Sequence, residues 1–308
     1  MKCLVTGGAG FVGSHLIERL LLDNHSIVCI DDFSTGKEEN LDNIRNEIKL
    51  TEGDIRDIDV IQKTVNEIDC IFHLAAQISV KRSVRDPLFD ASVNIEGTIN
   101  LLEAIKNSSV KRFIYISTGG AIYGEPVTIP VSETTLEKPI SPYGISKLAG
   151  EKYLQWFHKV YGLPYTIIRP ANIYGPKQDS LGEAGVISIF LGRIKNNKSL
   201  EIFGDGKDTR DYVYVKDIAE ICINAMYSSQ IDTFNAGTGN QTDLLELIRI
   251  IEHVTKLKAD KKFCDPRPGD VHHIALDSTK AHEQLSWKPS TDLTTGIRET
   301  WDWFLSNQ

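Results

Sequence analysis

Lys2-Cys3-Leu4-Val5-Thr6-Gly7-Gly8-Ala9-Gly10-Phe11-Val12-Gly13 opens the chain and decides its fold. Residues 2–6, with Cys3-Leu4-Val5 at their centre, read as a strand, and 11–22 read as a helix, so the glycines fall on the turn between them. A missing side chain at Gly7 or Gly8 permits a tight turn, at Gly10 lets an anion approach the backbone, and at Gly13 lets the helix meet the sheet. The helix amino end then presents free N–H groups and a positive dipole end to a diphosphate. Asp31 closes the second strand, 23 residues after Gly8, where a carboxylate can accept both hydroxyls of a ribose. The turn Asp31-Asp32-Phe33-Ser34-Thr35-Gly36 contains no arginine, so a 2′-phosphate would meet uncompensated negative charge. NAD is therefore expected as cofactor rather than NADP. Asp54, just past the third strand, is a candidate adenine contact.

Working outward, strands are expected at 26–30, 48–51, 70–74, 111–117 and 165–169. Helices are expected at 57–67, at 91–107 and from Tyr143 to about His158. Apolar strands alternating with amphipathic helices imply a parallel sheet covered on both faces, an α/β fold of the Rossmann-type, doubly wound kind. After Pro170 the rhythm breaks into shorter elements with many glycines and charges. Residues 1–170 are thus expected to form an NAD-binding domain and 171–308 a smaller C-terminal α/β substrate domain. A segment near 209–228 is expected to return to the first.

The composition, 41% apolar and 25% charged over 308 residues, is that of a globular enzyme. A net charge of -8 argues against broad nucleic-acid binding, which needs a basic footprint. Five scattered cysteines, none in a C-x-x-C pair, read as reduced thiols of a cytoplasmic protein. The first residues enter a strand pattern directly, which leaves no room for a signal peptide. No apolar run reaches membrane-spanning length.

Tyr143 and Lys147 lie four residues apart in Tyr143-Gly144-Ile145-Ser146-Lys147. That spacing is about one helical turn, so both side chains can face one reacting centre. An ammonium stabilises a phenolate, making the tyrosine a base able to take a proton from a sugar hydroxyl beside an oxidising dinucleotide. Three segments should converge at the strand ends: Ser117-Thr118-Gly119-Gly120, Tyr143 with Lys147, and Arg169-Pro170-Ala171-Asn172.

The chain resembles the extended short-chain dehydrogenase/reductases, within them the UDP-glucose 4-epimerase branch. The matching pieces include Thr6–His15, Asp31–Gly36, Gly53–Ile55, His73–Gln77 and Asn94–Thr98. Ser117–Gly124, Tyr143–Lys147, Arg169–Pro176, Gly204–Tyr212, Arg267–Asp270 and Leu285–Pro289 follow in the family's order. The resemblance implies Tyr143 as proton acceptor with Lys147 as its partner. It places Gly7, Gly10, Phe11, Val12, Gly13, Asp31, Asp32, Asp54 and Ile55 around the adenosine and diphosphate of NAD. The strand-end run Leu74-Ala75-Ala76 and Pro170 join the cofactor's surroundings, and Asn94 holds backbone behind the site. Asn172 would meet the diphosphate of a UDP-sugar, Arg210 and Arg267 would pair with its phosphates, and Asp270 would accept the uridine ribose hydroxyls. Ile274 falls where bulk restricts the pocket for the sugar 2-substituent. The implied reaction inverts C4 of UDP-glucose or UDP-galactose through a transient 4-keto sugar, in a homodimer.

One position departs from that pattern. Epimerases of this kind commonly carry Ser or Thr four residues before the tyrosine of the downstream Tyr-Gly pair, and Gly119 stands there. Thr118 is the neighbouring hydroxyl that could assist catalysis. The same loop lacks the Asp-Glu pair of family members that remove water from the sugar, which argues against dehydration. Lys81, Arg82 and Arg85 could suit a carboxylate, so UDP-glucuronate is a competing substrate, as is UDP-N-acetylglucosamine. A net nucleotide-sugar oxidoreductase and a non-catalytic NAD-binding sensor or scaffold are the remaining alternatives.

Overall fold

A computed structural model describes residues 1–180, 185–266 and 271–306. The first half runs β1 (Lys2–Thr6), α1 (Phe11–Leu22), β2 (Ser26–Asp31), β3 (Ile48–Glu52), α2 (Ile58–Thr64) and β4 (Cys70–His73). It continues through α3 (Val80–Arg85), α4 (Pro87–Ala91), α5 (Gly97–Ile105), β5 (Arg112–Ile116), α6 (Gly119–Ile122), α7 (Pro142–Tyr161) and β6 (Tyr165–Pro170). Then come β7 (Asn172–Tyr174), α8 (Val186–Lys195), β8 (Leu200–Phe203), β9 (Thr209–Arg210), β10 (Tyr212–Tyr214) and α9 (Val215–Tyr227). The last elements are β11 (Asp232–Ala236), β12 (Thr242–Asp243), α10 (Leu244–Thr255), β13 (Lys261–Cys264), α11 (Thr279–Leu285) and α12 (Leu293–Ser306).

Seven parallel strands form the main sheet in the order β11-β6-β5-β4-β1-β2-β3. Strand order reverses between β1 and β4, which opens a crevice at their carboxyl ends. One face of the sheet is covered by Leu16 and Leu20 of α1 with Ile218 and Cys222 of α9. The other is covered by Ile61 of α2, Leu101 of α5, and Leu154 and Phe157 of α7. A third core joins α8, α10 and α12 through Phe190, Leu191, Ile248, Ile251 and Trp301. The chain thus revisits the sheet late: α9 packs beside α1 and β11 pairs with β6. Tyr212 itself lies on the short parallel pair of β10 with β7.

The helix expected at 91–107 begins earlier and is not uniform. Asp86 accepts a hydrogen bond from the Phe89 N–H and Pro87 occupies the first turn, where its missing N–H costs nothing. A π-helical turn at Ser92–Glu96 then separates α4 from α5 and carries Asn94. The helix expected from Tyr143 starts one residue sooner, because Ser141 caps it by accepting from the Gly144 N–H. Its end at Gly162 is a left-handed cap that donates to His158. Among the described residues no helix is long and apolar enough to cross a membrane.

Two glycines of the opening turn have no room for a side chain. A Cβ at Gly13 would stand 2.2 Å from the Gly7 carbonyl oxygen and 2.7 Å from the Gly8 Cα, both backbone atoms. Gly7 adopts φ +69° and faces the Ala75 amide nitrogen, 2.8 Å from where its Cβ would be. The turn therefore presses on the residues after β4, across the crevice. Gly13→Ala is expected to lower stability by about 1–3 kcal/mol through this overpacking. An unchanged urea midpoint would show that α1 can back away from the turn.

Candidate active site

The crevice is a groove of ≈ 930 Å³. Gly7, Gly10, Phe11, Val12 and Gly13 line it from the opening turn, and Asp31, Asp32, Asp54 and Ile55 from the ends of β2 and β3. Leu74, Ala75 and Ala76 line it beyond β4. Asn94, Tyr143, Lys147 and Pro170 are not among the residues that line it. Asp31 is buried, and its carboxylate accepts from the Ala9 N–H at 2.8 Å and the Phe33 N–H at 2.9 Å. Each of its oxygens keeps a further lone pair. Burial raises the Asp31 pKa, while those amide bonds oppose the rise. Asp32 is turned onto the Ser34 amide and hydroxyl. Asp54 is clamped by Arg56 through two guanidinium nitrogens, which lowers its pKa.

Asn94 ties this groove to the helix that bears the tyrosine. Its side chain accepts from the Gln77 N–H at 2.8 Å and donates to the Gln77 carbonyl at 3.0 Å and to Ser146 Oγ at 3.0 Å. Ser146 lies on α7 between Tyr143 and Lys147. Behind it, buried Asp90 accepts from Gln77 Nε2 at 2.7 Å.

Tyr143 sits in the first turn of α7, and burial pushes its phenol up to about 12. Asp90 adds to the rise, and a hydrogen bond with the Thr118 side chain opposes it. Lys147 is 3% exposed, with Nζ 4.3 Å from the centre of the Tyr115 ring. Burial pulls its ammonium down to about 7 against the pull of Glu151 and Asp90. The expected lowering of the tyrosine by the lysine is therefore not what the protein's own groups produce. Desolvation outweighs it for both residues.

Glu151 is a residue that the sequence reading passed over. It follows Lys147 by one turn on the same face of α7, a spacing that was legible. It is fully buried and accepts from Ser117 Oγ at 2.5 Å, from Arg169 Nε at 2.9 Å and from Arg169 Nη2 at 2.6 Å. Arg169 also reaches Tyr123 at 2.9 Å and Glu137 at 2.8 Å, and Tyr123 donates to Asn235 Oδ1 of β11. His73, at the end of β4, is held neutral by burial, with Thr6 and Thr98 on its two ring nitrogens. Gln178 was also missed: it lines the groove, donates to the Ile173 carbonyl, and its buried Oε1 has no hydrogen-bond partner among the described residues.

A second cavity of ≈ 230 Å³ lies between α8, β8 and β9 and is lined by Phe190, Arg193, Phe203, Asp208, Arg210 and Tyr212, among others. Arg210 Nη1 donates to the Thr209 carbonyl at 2.9 Å and the His272 carbonyl at 3.3 Å. Asp208 pairs with His272 Nδ1 at 2.9 Å. Arg267 and Asp270 lie outside the described residues. Asn172 is exposed on β7, next to Gly120. Ile274 is buried in the apolar core and lines neither cavity. Of the basic run, Arg82 and Arg85 line the large groove, with the Arg82 guanidinium 3.8 Å over the Phe89 ring. Glu125 accepts from the His272 N–H at 2.9 Å.

This arrangement has close parallels. Residues 4–300 match the family model described as GDP-mannose 4,6 dehydratase. A UDP-glucose 4-epimerase from Mycolicibacterium smegmatis is 44% identical over 308 residues, covering 99% of this chain and 98% of that protein. The chain belongs to the extended short-chain dehydrogenase/reductase family and is closely related to the UDP-glucose 4-epimerases. Among solved structures, the Thermotoga maritima UDP-glucose 4-epimerase with UDP-glucose superposes with a TM-score of 0.96 at 43% identity, covering 99% of both chains. The Thermus thermophilus UDP-glucose 4-epimerase in complex with NAD gives a TM-score of 0.94 at 38% identity over 100% of both chains.

The opposed shifts at the site have a stability consequence. Unfolded lysine titrates near about 10.4, so between about pH 7 and 10 the unfolded chain binds a proton that buried Lys147 has released. The Lys147 contribution to stability therefore rises with pH across that window, and from about pH 8.5 it is opposed by the thiols of Cys29, Cys70 and Cys222, which burial keeps protonated after unfolded thiols have ionised. Above about pH 10 the sign reverses, because Tyr143 keeps a proton that unfolded tyrosine has lost. Lys147→Met, measured by thermal unfolding with no nucleotide added, is expected to make the pH slope of stability less positive between about pH 7 and 8.5, below the range in which the thiols titrate. A variant whose pH slope equals that of the wild type would contradict this account.

Proposed function

We propose that the protein is an NAD-dependent 4-epimerase of UDP-hexoses, with UDP-glucose and UDP-galactose as its substrates. The observation that carries the reading is Tyr143 in the first turn of α7, one turn from buried Lys147, in a chain that also holds the glycine-turn groove and a second cavity lined by Arg210. Residues 1–170 with α9 and β11 form the cofactor half, and the rest of 171–308 holds the nucleotide-sugar. NAD fits the large groove: backbone amides at Gly10 and beyond suit a diphosphate, Asp31 keeps acceptor capacity for ribose hydroxyls, and Asp54 and Ile55 flank the adenine end. When bound it supplies the hydride acceptor and a positive ring charge.

The protein's part is acid–base and positional. Tyr143 takes the C4 hydroxyl proton as the 4-keto sugar forms and returns it to the inverted product. Lys147 binds ribose hydroxyls and adds positive charge beside the phenol, offsetting the burial that otherwise keeps it protonated. Thr118 orients the reacting oxygen. The unpartnered Gln178 Oε1 is an acceptor available to cofactor or sugar. Arg210, with Arg267, neutralises the substrate diphosphate, and Asp270 suits a ribose diol. Binding energy is thereby concentrated on the nucleotide, which leaves the sugar free to turn and present its other face.

An apolar outer face runs along α3, α4 and α7 through Val84, Leu88, Ile145, Tyr153, Trp156 and Val160, all exposed. We assign it to a second copy of the chain, because α4 and α7 pack side by side and give a two-helix face suited to isologous pairing. Trp156→Glu should convert a dimer to a monomer by light scattering, whereas a wild-type chain that is already monomeric would end this assignment.

Tyr143→Phe is expected to retain fold and NAD binding and to lower turnover about a hundredfold or more, on the order of 3 kcal/mol of barrier. Retention of more than about a third of the wild-type rate would mean that another group is the base. Comparing kcat/KM for UDP-galactose, UDP-N-acetylglucosamine and UDP-glucuronate on the wild type decides the substrate. A preference for either of the latter two would overturn the assignment to neutral hexoses.

A further inference from the structure

Gly119 lacks a side chain where the family resemblance implies a hydroxyl, and the packing shows what stands in its place. A Cβ built on Gly119 would lie 2.3 Å from Leu276 Cδ1, 3.0 Å from Leu276 Cδ2 and 3.1 Å from the Pro170 carbonyl oxygen. Leu276 is 1% exposed within the apolar core. Its backbone cannot retreat. The Leu276 N–H donates to Asp211 Oδ2 at 3.1 Å, Leu276 forms an isolated bridge with Val131, and the flanking Ala275 carbonyl and Asp277 N–H are both bonded to Val131 at 2.8 Å. A Cβ at Gly237 would meet the Leu276 Cβ at 3.0 Å, which closes the opposite side. Asp211, the anchor, is itself buried and also accepts from the Thr238 N–H, the Thr238 hydroxyl and the Gly239 N–H.

We propose that Leu276 is a positioning residue of the catalytic loop: it fills the space beside residue 119, obliges glycine there, and so seats the loop that presents the Thr118 hydroxyl to Tyr143. The inference rests on the reading of Thr118 and Tyr143 given above, and it deepens it. Leu276 touches no reacting atom and lines neither cavity; it acts through the backbone of Gly119. Thr118 is the residue immediately before the contact and caps α6 without using its side chain on that helix, which leaves the hydroxyl free for Tyr143. The two positions are therefore a matched pair, small at 119 and large at 276. A side chain at 119 requires a smaller residue at 276. The same contact couples the halves of the molecule, since Leu276 hangs from the residue next to Arg210.

A double-mutant cycle tests this. Gly119→Ala should lower Tm and cut kcat for UDP-galactose about tenfold or more, with KM within about threefold of wild type. Leu276→Ala alone should lower Tm by opening a cavity. In Gly119→Ala/Leu276→Ala the new methyl occupies the vacated space, so Tm and kcat should both recover above the Gly119→Ala values, a coupling of opposite sign to the single losses. Thr118→Val should reduce kcat in the wild type and in the double variant, but add nothing in Gly119→Ala, where the hydroxyl is already displaced. A purely structural role would move Tm without that dependence on Thr118. Additive losses in the double variant, or wild-type kcat in Gly119→Ala, would overturn the proposal. If Gly119→Ala yields no folded protein, recovery of the fold by Leu276→Ala supports the pairing and failure to recover refutes it. If the wild type epimerises no UDP-sugar, the functional reading fails while the Tm coupling still decides the packing.

Discussion

The buried guanidinium of Arg169 is the point on which the site's geometry depends. It meets Glu151 through two nitrogens, and the same carboxylate accepts from Ser117. Those contacts fasten α7 to β6 and to the end of β5, so the helix carrying Tyr143 and Lys147 has one register against the strand ends. Burial makes the arrangement exacting, because either charge left alone inside the protein would cost about 3–5 kcal/mol. Arg169 extends the same network to Tyr123, and Tyr123 to Asn235, which bonds the Val131 carbonyl. Val131 in turn is the bridge partner of Leu276. The charged network on one side of the catalytic loop and the apolar wedge on the other are thus parts of one frame.

That frame holds together two residues whose electrostatics are individually adverse. Tyr143 and Lys147 are both desolvated by the protein, the first held protonated and the second drawn toward neutrality. Neither is corrected by its neighbours alone. The carboxylates that favour the lysine charge, Glu151 and Asp90, are buried behind it and also disfavour ionisation nearby. A site so poised responds strongly to any positive charge brought into it, which suits a reaction that begins when an oxidised cofactor and a sugar are both present.

The opening motif made the parallel sheet legible before any coordinate. Strand, glycine turn and helix appear where 2–6 and 11–22 were expected, since the apolar run Cys3-Leu4-Val5 and a cluster of glycines leave little choice of local structure. Element ends were less exact around 86–107. There Asp86, Pro87 and the π turn set the helix by local capping, which the apolar pattern does not register. The spacing of Tyr143 and Lys147 was equally visible, because one helical turn is a property of sequence distance.

Composition and motif order thus determined the fold class, the groove's position at the glycine turn, and the placing of Tyr143 and Lys147 one turn apart on α7. What the sequence did not determine was which distant groups stand beside them. That Arg169 would bond Glu151, that Gln178 would keep an open acceptor, and that Leu276 would fill the place beside Gly119 are outcomes of packing between segments tens to more than a hundred residues apart. Local pattern constrains neighbours along the chain. Steric exclusion and the pairing of buried polar groups act only once the sheet has brought the segments together, and they decided the rest.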